Sequence, residues 1–197
     1  MKRKITAIQP DAAMPAELLR RVREKGIEYG LTEVVPFRVD KIEIAHWVRL
    51  KCQYGCNRYA TTWCCPPATP DTDEVRKILG EYKDALLLVG RQHRPEFYRD
   101  NARKRVQQVR IWKGAVALER MLFLEGYYKA FALVSENCSL CRQCAYPAPC
   151  RFPQEKRPSV ESFSINMMET LGRIGIPTEI ATRKNQTMNY YTILLLD

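Results

Sequence analysis

Eight cysteines fall into two short groups, and thiolates grouped in this way point to metal chemistry. The first group is Cys52, Cys56, Cys64 and Cys65, and the second is Cys138, Cys141, Cys144 and Cys150. The long segment between the two groups contains no cysteine. This pattern predicts two metal sites, or two halves of one larger site.

The second group has the spacing C-x2-C-x2-C-x5-C. Bacterial ferredoxins use a similar C-x2-C-x2-C run, whose thiolates hold iron–sulfur clusters. Cys150 is the candidate fourth ligand, and Pro147 and Pro149 stiffen the chain that leads to it. In two-cluster ferredoxins the fourth cysteine binds the other cluster, so completion of the site within this loop stays open. Zinc is the alternative, although zinc sites more often show two separated C-x2-C pairs.

The first group is less regular. Three residues separate Cys52 from Cys56, as in radical SAM enzymes, but the third cysteine of that motif would fall at Tyr59. Successive residues of an extended chain point to opposite sides. One cluster should therefore take only one of the adjacent pair Cys64 and Cys65. The other would be a packed thiol, a redox-active thiol or a ligand elsewhere.

Composition indicates a soluble cytoplasmic protein. Hydrophobic residues make up 46% of the chain and charged residues 27%, as in ordinary globular domains. No apolar run is long enough to span a membrane, and the basic N-terminus lacks the apolar stretch of a secretory signal. In a cytoplasmic chain, dense cysteines favour metal binding over disulfides.

The formal net charge is +10, which suggests an acidic partner. Two [4Fe-4S] clusters on four thiolates each would add roughly −2 apiece and lower this to about +6. The remaining excess would suit an acidic redox partner or nucleic acid. No RNA-binding fold signature accompanies the basic stretch, which is more typical of a solvated helix face. It comprises Arg99, Arg103, Lys104, Arg105 and Arg110, with Tyr98 and Trp112 nearby.

These sites need a scaffold, and the hydrophobic pattern predicts one. We expect helices over 15–29, 73–83, 95–125 (with a break near Gly114) and 158–174. We expect strands over 32–39, 84–90, 128–134 and 190–196, with Pro36 marking an edge strand. The fold class is α/β (or α+β): a central sheet with flanking helices and two cysteine-rich metal-binding loops, 52–67 and 138–153. We expect one domain over 1–197.

Other candidate residues are less informative. His46 and His93 are isolated, and each is expected to be an ordinary surface or core histidine. Glu161 follows the second cysteine loop at the start of a predicted helix, where it would cap the helix or approach a cluster. No nucleotide-binding glycine motif and no Ser-His-Asp arrangement is present.

The order of motifs resembles the DUF2284 family of predicted metal-binding proteins. The resemblance rests on K-C-x3-C-x7-C-C-P-P, ALLLVG, ERMLFLEGYYKAFAL, the second cysteine run and RPSVE, from about residue 45 onward. It implies cysteine-bound metal, iron–sulfur in type, in cytoplasmic proteins of anaerobic bacteria and archaea. The family's Cys-Pro-Pro signature begins at Cys65, which makes Cys64 additional. The implied ligands are Cys52, Cys56, Cys65, Cys138, Cys141, Cys144 and Cys150.

Three functional hypotheses follow. The first is electron transfer through two [4Fe-4S] clusters to or from a redox partner protein. The second is an enzyme with a site-differentiated cluster, in which three thiolates leave one iron open to a small-molecule ligand. The third is a structural zinc module that binds RNA or protein.

Overall fold

A four-stranded antiparallel sheet forms the centre of the fold. The computed structural model describes residues 14–93, 102–178 and 187–197. The strands are β1 (Leu31–Arg38), β2 (Asp84–His93), β3 (Phe131–Leu133) and β4 (Thr187–Leu196). Their order across the sheet is β1-β2-β4-β3, and each neighbouring pair is antiparallel.

Five α-helices accompany the sheet within the described residues, so the fold class is α+β. They are α1 (Ala16–Glu28), α2 (His46–Gly55), α3 (Thr72–Leu79), α4 (Ala102–Leu124) and α5 (Met167–Arg173). Among the described residues, no helix has the length and apolar character needed to cross a bilayer.

Strand β2 is buried on both faces, which explains its nearly continuous apolar sequence. Leu86 and Leu88 enter a core with residues of α1 and α4. Leu87 and Val89 point the opposite way, into a core with residues of α3 and α5. Alternation along a strand places successive side chains on opposite faces, so the sheet separates two hydrophobic layers.

The predicted strands are confirmed in position, with differences at their ends. Pro36 lies in β1, which is an edge strand, as expected for a residue without a backbone N–H. Strand β3 is shorter than predicted, because Tyr127–Ala130 form a turn in which Ala130 N–H donates to the Tyr127 carbonyl.

The predicted break near Gly114 is wrong, because α4 runs through it without interruption. The part of that prediction over 95–101 lies outside the described residues. A Cβ atom on Gly114 would lie 2.5 Å from Cβ of Tyr29. Glycine is therefore present so that α4 can approach the end of α1 closely, and it does not end the helix.

The predicted continuous helix over 158–174 is also wrong. Residues 161–163 form a 3-10 turn and α5 starts only at Met167. The backbone before the turn pairs with the end of β3, since Val134 N–H donates to the Pro158 carbonyl and Val160 N–H donates to the Val134 carbonyl. Ser164, with φ of 58°, then interrupts the helical path.

The close contact at Gly114 is testable. We expect Gly114→Ala to lower the free energy of unfolding by about 1–3 kcal/mol, because the added methyl overpacks against Tyr29. Urea unfolding followed by circular dichroism under anaerobic conditions measures the change. The matched control is Gly172→Ala in α5, where a Cβ would meet nothing within 4 Å. There the higher helix propensity of alanine should leave stability unchanged or slightly raised. Equal losses in both variants would contradict the packing argument.

Candidate metal centre

The two cysteine loops meet against the α1–α4 face of the sheet. Cys64 is 3% exposed and belongs to the hydrophobic core on that face. Cys138 and Leu140 of the second loop pack against the same core. All eight cysteines are free thiols. The sequence segments that were predicted to carry two sites are therefore neighbours in space.

Three thiols of the first group influence one another. Cys52 lies in α2, Cys56 directly follows this helix, and Cys65 is buried in the loop beyond. Burial raises the pKa of Cys52, and the neighbouring Cys56 and Cys65 raise it further. Burial is also the main reason why the pKa of Cys65 is raised, with Cys56 adding to it.

A carboxylate accompanies these thiols. Glu161 lies close enough to Cys52 to raise the pKa of that thiol. Its own pKa is raised, primarily by desolvation of the carboxyl group, although the residue as a whole is exposed. The 3-10 turn that carries Glu161 packs against α2. Glu161 thus lies in the first turn of a 3-10 segment and not at the start of α5. Its approach to a cluster stays a prediction.

Cys64 contacts the second group. Its thiol donates a hydrogen bond to Cys138, which lowers the pKa of Cys138 to about 7 and raises that of Cys64. Cys65, the next residue along the chain, lies with Cys52 and Cys56. Cys138 also raises the pKa of Cys65, so the adjacent pair Cys64 and Cys65 lies where the two groups of thiols meet.

The remaining thiols of the second group form a set around Cys138. Burial raises the pKa of Cys141, and Cys138, Cys144 and Cys150 raise it further. Cys150 also raises the pKa of Cys64. The other three cysteines of the loop thus all influence Cys141, and Cys64 is a fifth thiol beside Cys138. That the four bind one metal site stays a prediction.

Several hydrogen-bond donors point at the sulfur atoms. Arg58 N–H donates to Sγ of Cys56 and Phe152 N–H donates to Sγ of Cys150, each over 3.4 Å. Leu140 N–H donates to Cys138 and lowers its pKa. Such bonds stabilise thiolates, and they are among the features that set the potentials of iron–sulfur clusters.

The hydroxyl of Thr62 is a further possible donor near the thiols. Its hydroxyl is buried and makes no hydrogen bond of normal geometry within the described part of the chain. It does lie near Cys65 and lowers the pKa of that thiol. A buried hydroxyl without a partner is costly, and a thiolate or cluster sulfide at this place would satisfy it.

Arg49 fixes the first group. From α2, its Nη1 donates to the carbonyls of Pro70 and Ser162 over 2.9 and 3.0 Å, and to Oγ1 of Thr69 over 3.3 Å. One guanidinium thereby joins the helix of Cys52, the loop after Cys65 and the turn of Glu161. The sequence analysis missed Arg49, because its role depends on carbonyls that are distant in sequence.

Helix α4 fixes the second group. Arg105 donates to the carbonyls of Ser139 and Leu140, and the side-chain oxygen of Gln108 accepts a hydrogen bond from the Ser139 hydroxyl over 2.7 Å. The basic stretch predicted as a solvated face therefore includes a residue that holds the cysteine loop. Trp112 is buried and donates to the Glu155 carbonyl, so its ring is not free to stack on RNA bases.

Trp63 joins the two loops directly. Its Nε1–H donates to the carbonyl of Ala148 over 2.9 Å. Its ring meets Tyr146 edge-on at a centroid distance of 5.0 Å, and the ammonium of Lys156 lies 5.0 Å from its centroid. The residue beside Cys64 thus anchors the proline-rich part of the second loop.

The two histidines add nothing to the thiol groups within the described residues. His46 begins α2 with an exposed side chain, and the side chain of His93 lies outside the described part. Within the described residues, no three His, Cys, Asp or Glu side chains converge closely enough to hold a single metal ion. Thiolates on one zinc ion would be about 3.8 Å apart, given a Zn–S distance of about 2.3 Å.

The family model described as predicted metal-binding protein (DUF2284) matches residues 36–196. The chain belongs to this family. The DUF2284 match spans both cysteine loops, the whole of β2, β3 and β4, and Glu161. No curated protein and no solved structure matches the chain. Membership establishes a predicted metal-binding protein and leaves the kind of metal to be argued from the site.

The Trp63 contact can be measured. Trp63→Phe keeps an aromatic ring beside Tyr146 but removes the donor to Ala148. We expect the free energy of unfolding to fall by about 0.5–1.5 kcal/mol, and the loop over 138–153 to be cleaved faster by protease. Trp47→Phe is the control, because Trp47 is exposed and forms a cation–π pair with Lys51, away from the second cysteine loop in sequence. Similar cleavage rates in both variants would show that Trp63 does not tie the loops together.

Proposed function

We propose that the protein is an iron–sulfur protein that holds two clusters and transfers electrons with a redox partner. Cys52, Cys56 and Cys65 would bind one cluster. Cys138, Cys141, Cys144 and Cys150 would bind the other. The single observation that carries the proposal is that the two cysteine groups meet on one face of the sheet, with Cys64 against Cys138 and Cys65 influenced by both Cys56 and Cys138.

The surroundings of the sulfurs support clusters over zinc. Each cysteine of a cubane binds a different iron, so its thiolates lie farther apart than those on one zinc ion. The thiols here do not converge on a single-ion position among the described residues. Backbone N–H donors at Cys56, Cys138 and Cys150, with the unpartnered Thr62 hydroxyl near Cys65, suit sulfurs that carry negative charge.

The side chain of Arg58 is a cation that can offset the negative charge on these sulfurs. It lowers the pKa values of both Cys65 and Cys138, and so lies between the two groups. A bound cluster supplies one-electron redox chemistry. The chain's part is to hold the thiolates, to offset their charge with Arg58, and to keep the two sites adjacent so that an electron can pass between them.

Metal analysis of single variants tests the assignment. Anaerobically prepared wild-type protein should contain about eight irons and eight acid-labile sulfides, as two [4Fe-4S] clusters require. Cys141→Ser and Cys65→Ser should each contain about half as much iron and sulfide, because each variant loses a different cluster. Cys64→Ser is the matched control and should retain both, because Cys64 donates to Cys138 and its serine replacement keeps a donor. Stoichiometric zinc without sulfide would overturn the proposal, and loss of a cluster from Cys64→Ser with retention in Cys65→Ser would reverse the ligand assignment.

The first site favours a second candidate function, an enzyme with a site-differentiated cluster. Three thiols influence one another there, and the Glu161 carboxylate also raises the pKa of Cys52. Three thiolates would leave one iron to a ligand other than cysteine, and Lewis acidity is the chemistry that such an iron supplies. Glu161 would then hold that position and yield it to a small molecule.

Electron paramagnetic resonance of the reduced protein separates the two functions. If Glu161 occupies the open position, Glu161→Gln should change the signal of one cluster and increase its response to cyanide. Glu74→Gln, an exposed carboxylate in the first turn of α3, is the control and should leave both signals as in wild type. If the signals change neither on substitution nor on addition of cyanide, the open site is excluded and electron transfer remains as the function.

A further inference from the structure

A wide cationic groove lies beside the second cysteine group. Its volume is about 1190 Å³, and Cys138 and Cys141 are part of its wall. Five basic side chains line it, and none of the described residues in its lining is acidic. These cations are Arg58, Arg105, Arg110, Lys113 and Arg142.

Three of these cations have partners within the protein and two do not. Arg105 donates to the Ser139 and Leu140 carbonyls, and Arg110 donates to the Glu28 carbonyl over 2.8 Å. Arg58 acts on the thiols of Cys65 and Cys138. Within the described part of the chain, Lys113 and Arg142 make no side-chain hydrogen bond or ion pair. Unpaired cations that share one concave surface create a positive potential there, which attracts and orients an acidic partner.

The groove is too large and too open to enclose one small molecule. Sites for such ligands are typically about 300–1,000 Å³ and bury most of the ligand. Val106 on its rim is 68% exposed, and Lys113 and Arg142 are exposed as well. A broad, exposed and charged surface is typical of a docking site for a protein that binds transiently.

We propose that this groove docks the acidic surface of a one-electron carrier protein. The inference rests on the proposed function, because Cys138 and Cys141 place the second cluster in the groove wall. One electron would leave the reduced carrier, and the cluster would gain it, with no bond made or broken. RNA is less suited to this surface, since Tyr29 is the sole aromatic among the described residues that line it.

An acidic flavodoxin serves as the probe. Binding of the fluorescently labelled flavodoxin to the anaerobic full chain is followed by anisotropy at increasing NaCl. We expect binding that weakens with salt, and Lys113→Gln/Arg142→Gln should raise the dissociation constant about five- to tenfold. The matched control is Lys41→Gln/Lys77→Gln, which removes the same charge from exposed positions near the other face of the sheet. It should change binding less than about twofold, since distant charges are screened.

Electron transfer gives the second readout. Stopped-flow reduction by the flavodoxin hydroquinone should slow in the groove variant by a similar factor and stay near wild type in the control. Binding that is insensitive to Lys113 and Arg142, in protein that contains clusters, would overturn the groove and leave the proposed function intact. Groove-dependent binding in protein that lacks iron and sulfide would overturn the proposed function and leave the groove as a docking surface.

Two further probes exclude other occupants. ATP and a single-stranded oligouridine are titrated at 150 mM NaCl (about physiological ionic strength). Neither should compete with flavodoxin for the groove. Saturable ATP binding that Lys113→Gln/Arg142→Gln abolishes would show a small-anion site. Oligouridine binding tighter than that of flavodoxin, with the same dependence on the groove, would show an RNA site. Either result overturns the docking of a protein carrier.

Discussion

The cysteine loops contain little regular secondary structure beyond the end of α2, so their shape must be imposed by side chains from other parts of the chain. Backbone carbonyls in a loop lack the partners that a helix or sheet provides, and each needs a donor when it is buried. Arg49, Arg105 and Trp63 supply these donors. Without these donors, the loops would lose contacts that hold the thiols of each group together before metal binds.

Some of the basic side chains of this protein serve its own fold. Part of the positive excess is engaged by carbonyls and carboxylates of the protein itself. Arg157 and Glu119 form a largely buried pair, and Glu119 also accepts from Ala132 N–H over 2.8 Å at the start of β3. A guanidinium is suited to such positions because it offers several donors in a fixed plane. Arg157 and Glu119 cancel within the net charge of +10, so the positive excess that a partner meets comes from other side chains.

Much of the scaffold could be predicted from the sequence, since apolar periodicity reports burial directly. The apolar run of β2 and Pro36 of β1 are local signals, and both led to correct strands. The predicted helix break at Gly114 was wrong, because glycine can either end a helix or permit close packing. The position of Tyr29 decides between the two, and the sequence does not reveal it. The segment over 158–174 misled because its helical pattern competes with backbone pairing to Val134, which is distant in sequence.

The same limit applies to the site. Cysteine spacing alone defined two groups, and the assignment of Cys64 and Cys65 to different clusters stays a prediction. The contact of Cys64 with Cys138 and the role of Arg49 could not be predicted, because each depends on how the loops meet in three dimensions. Glu161 was expected either at a helix start or near a cluster. It lies in the first turn of the 3-10 segment, and its approach to a cluster stays a prediction.

The position of β4 has a consequence for how the protein matures. This strand lies between β2 and β3 in the sheet, yet it follows both cysteine loops in sequence. A ribosome releases residues in chain order, so all eight thiols leave the exit tunnel before the sheet can close. Until then β2 and β3 have no common neighbour, and the hydrophobic layer that receives Cys64 is incomplete. The nascent chain thus passes through a stage with unprotected thiols, in which shielding from oxidants and stray metal ions must come from outside the protein.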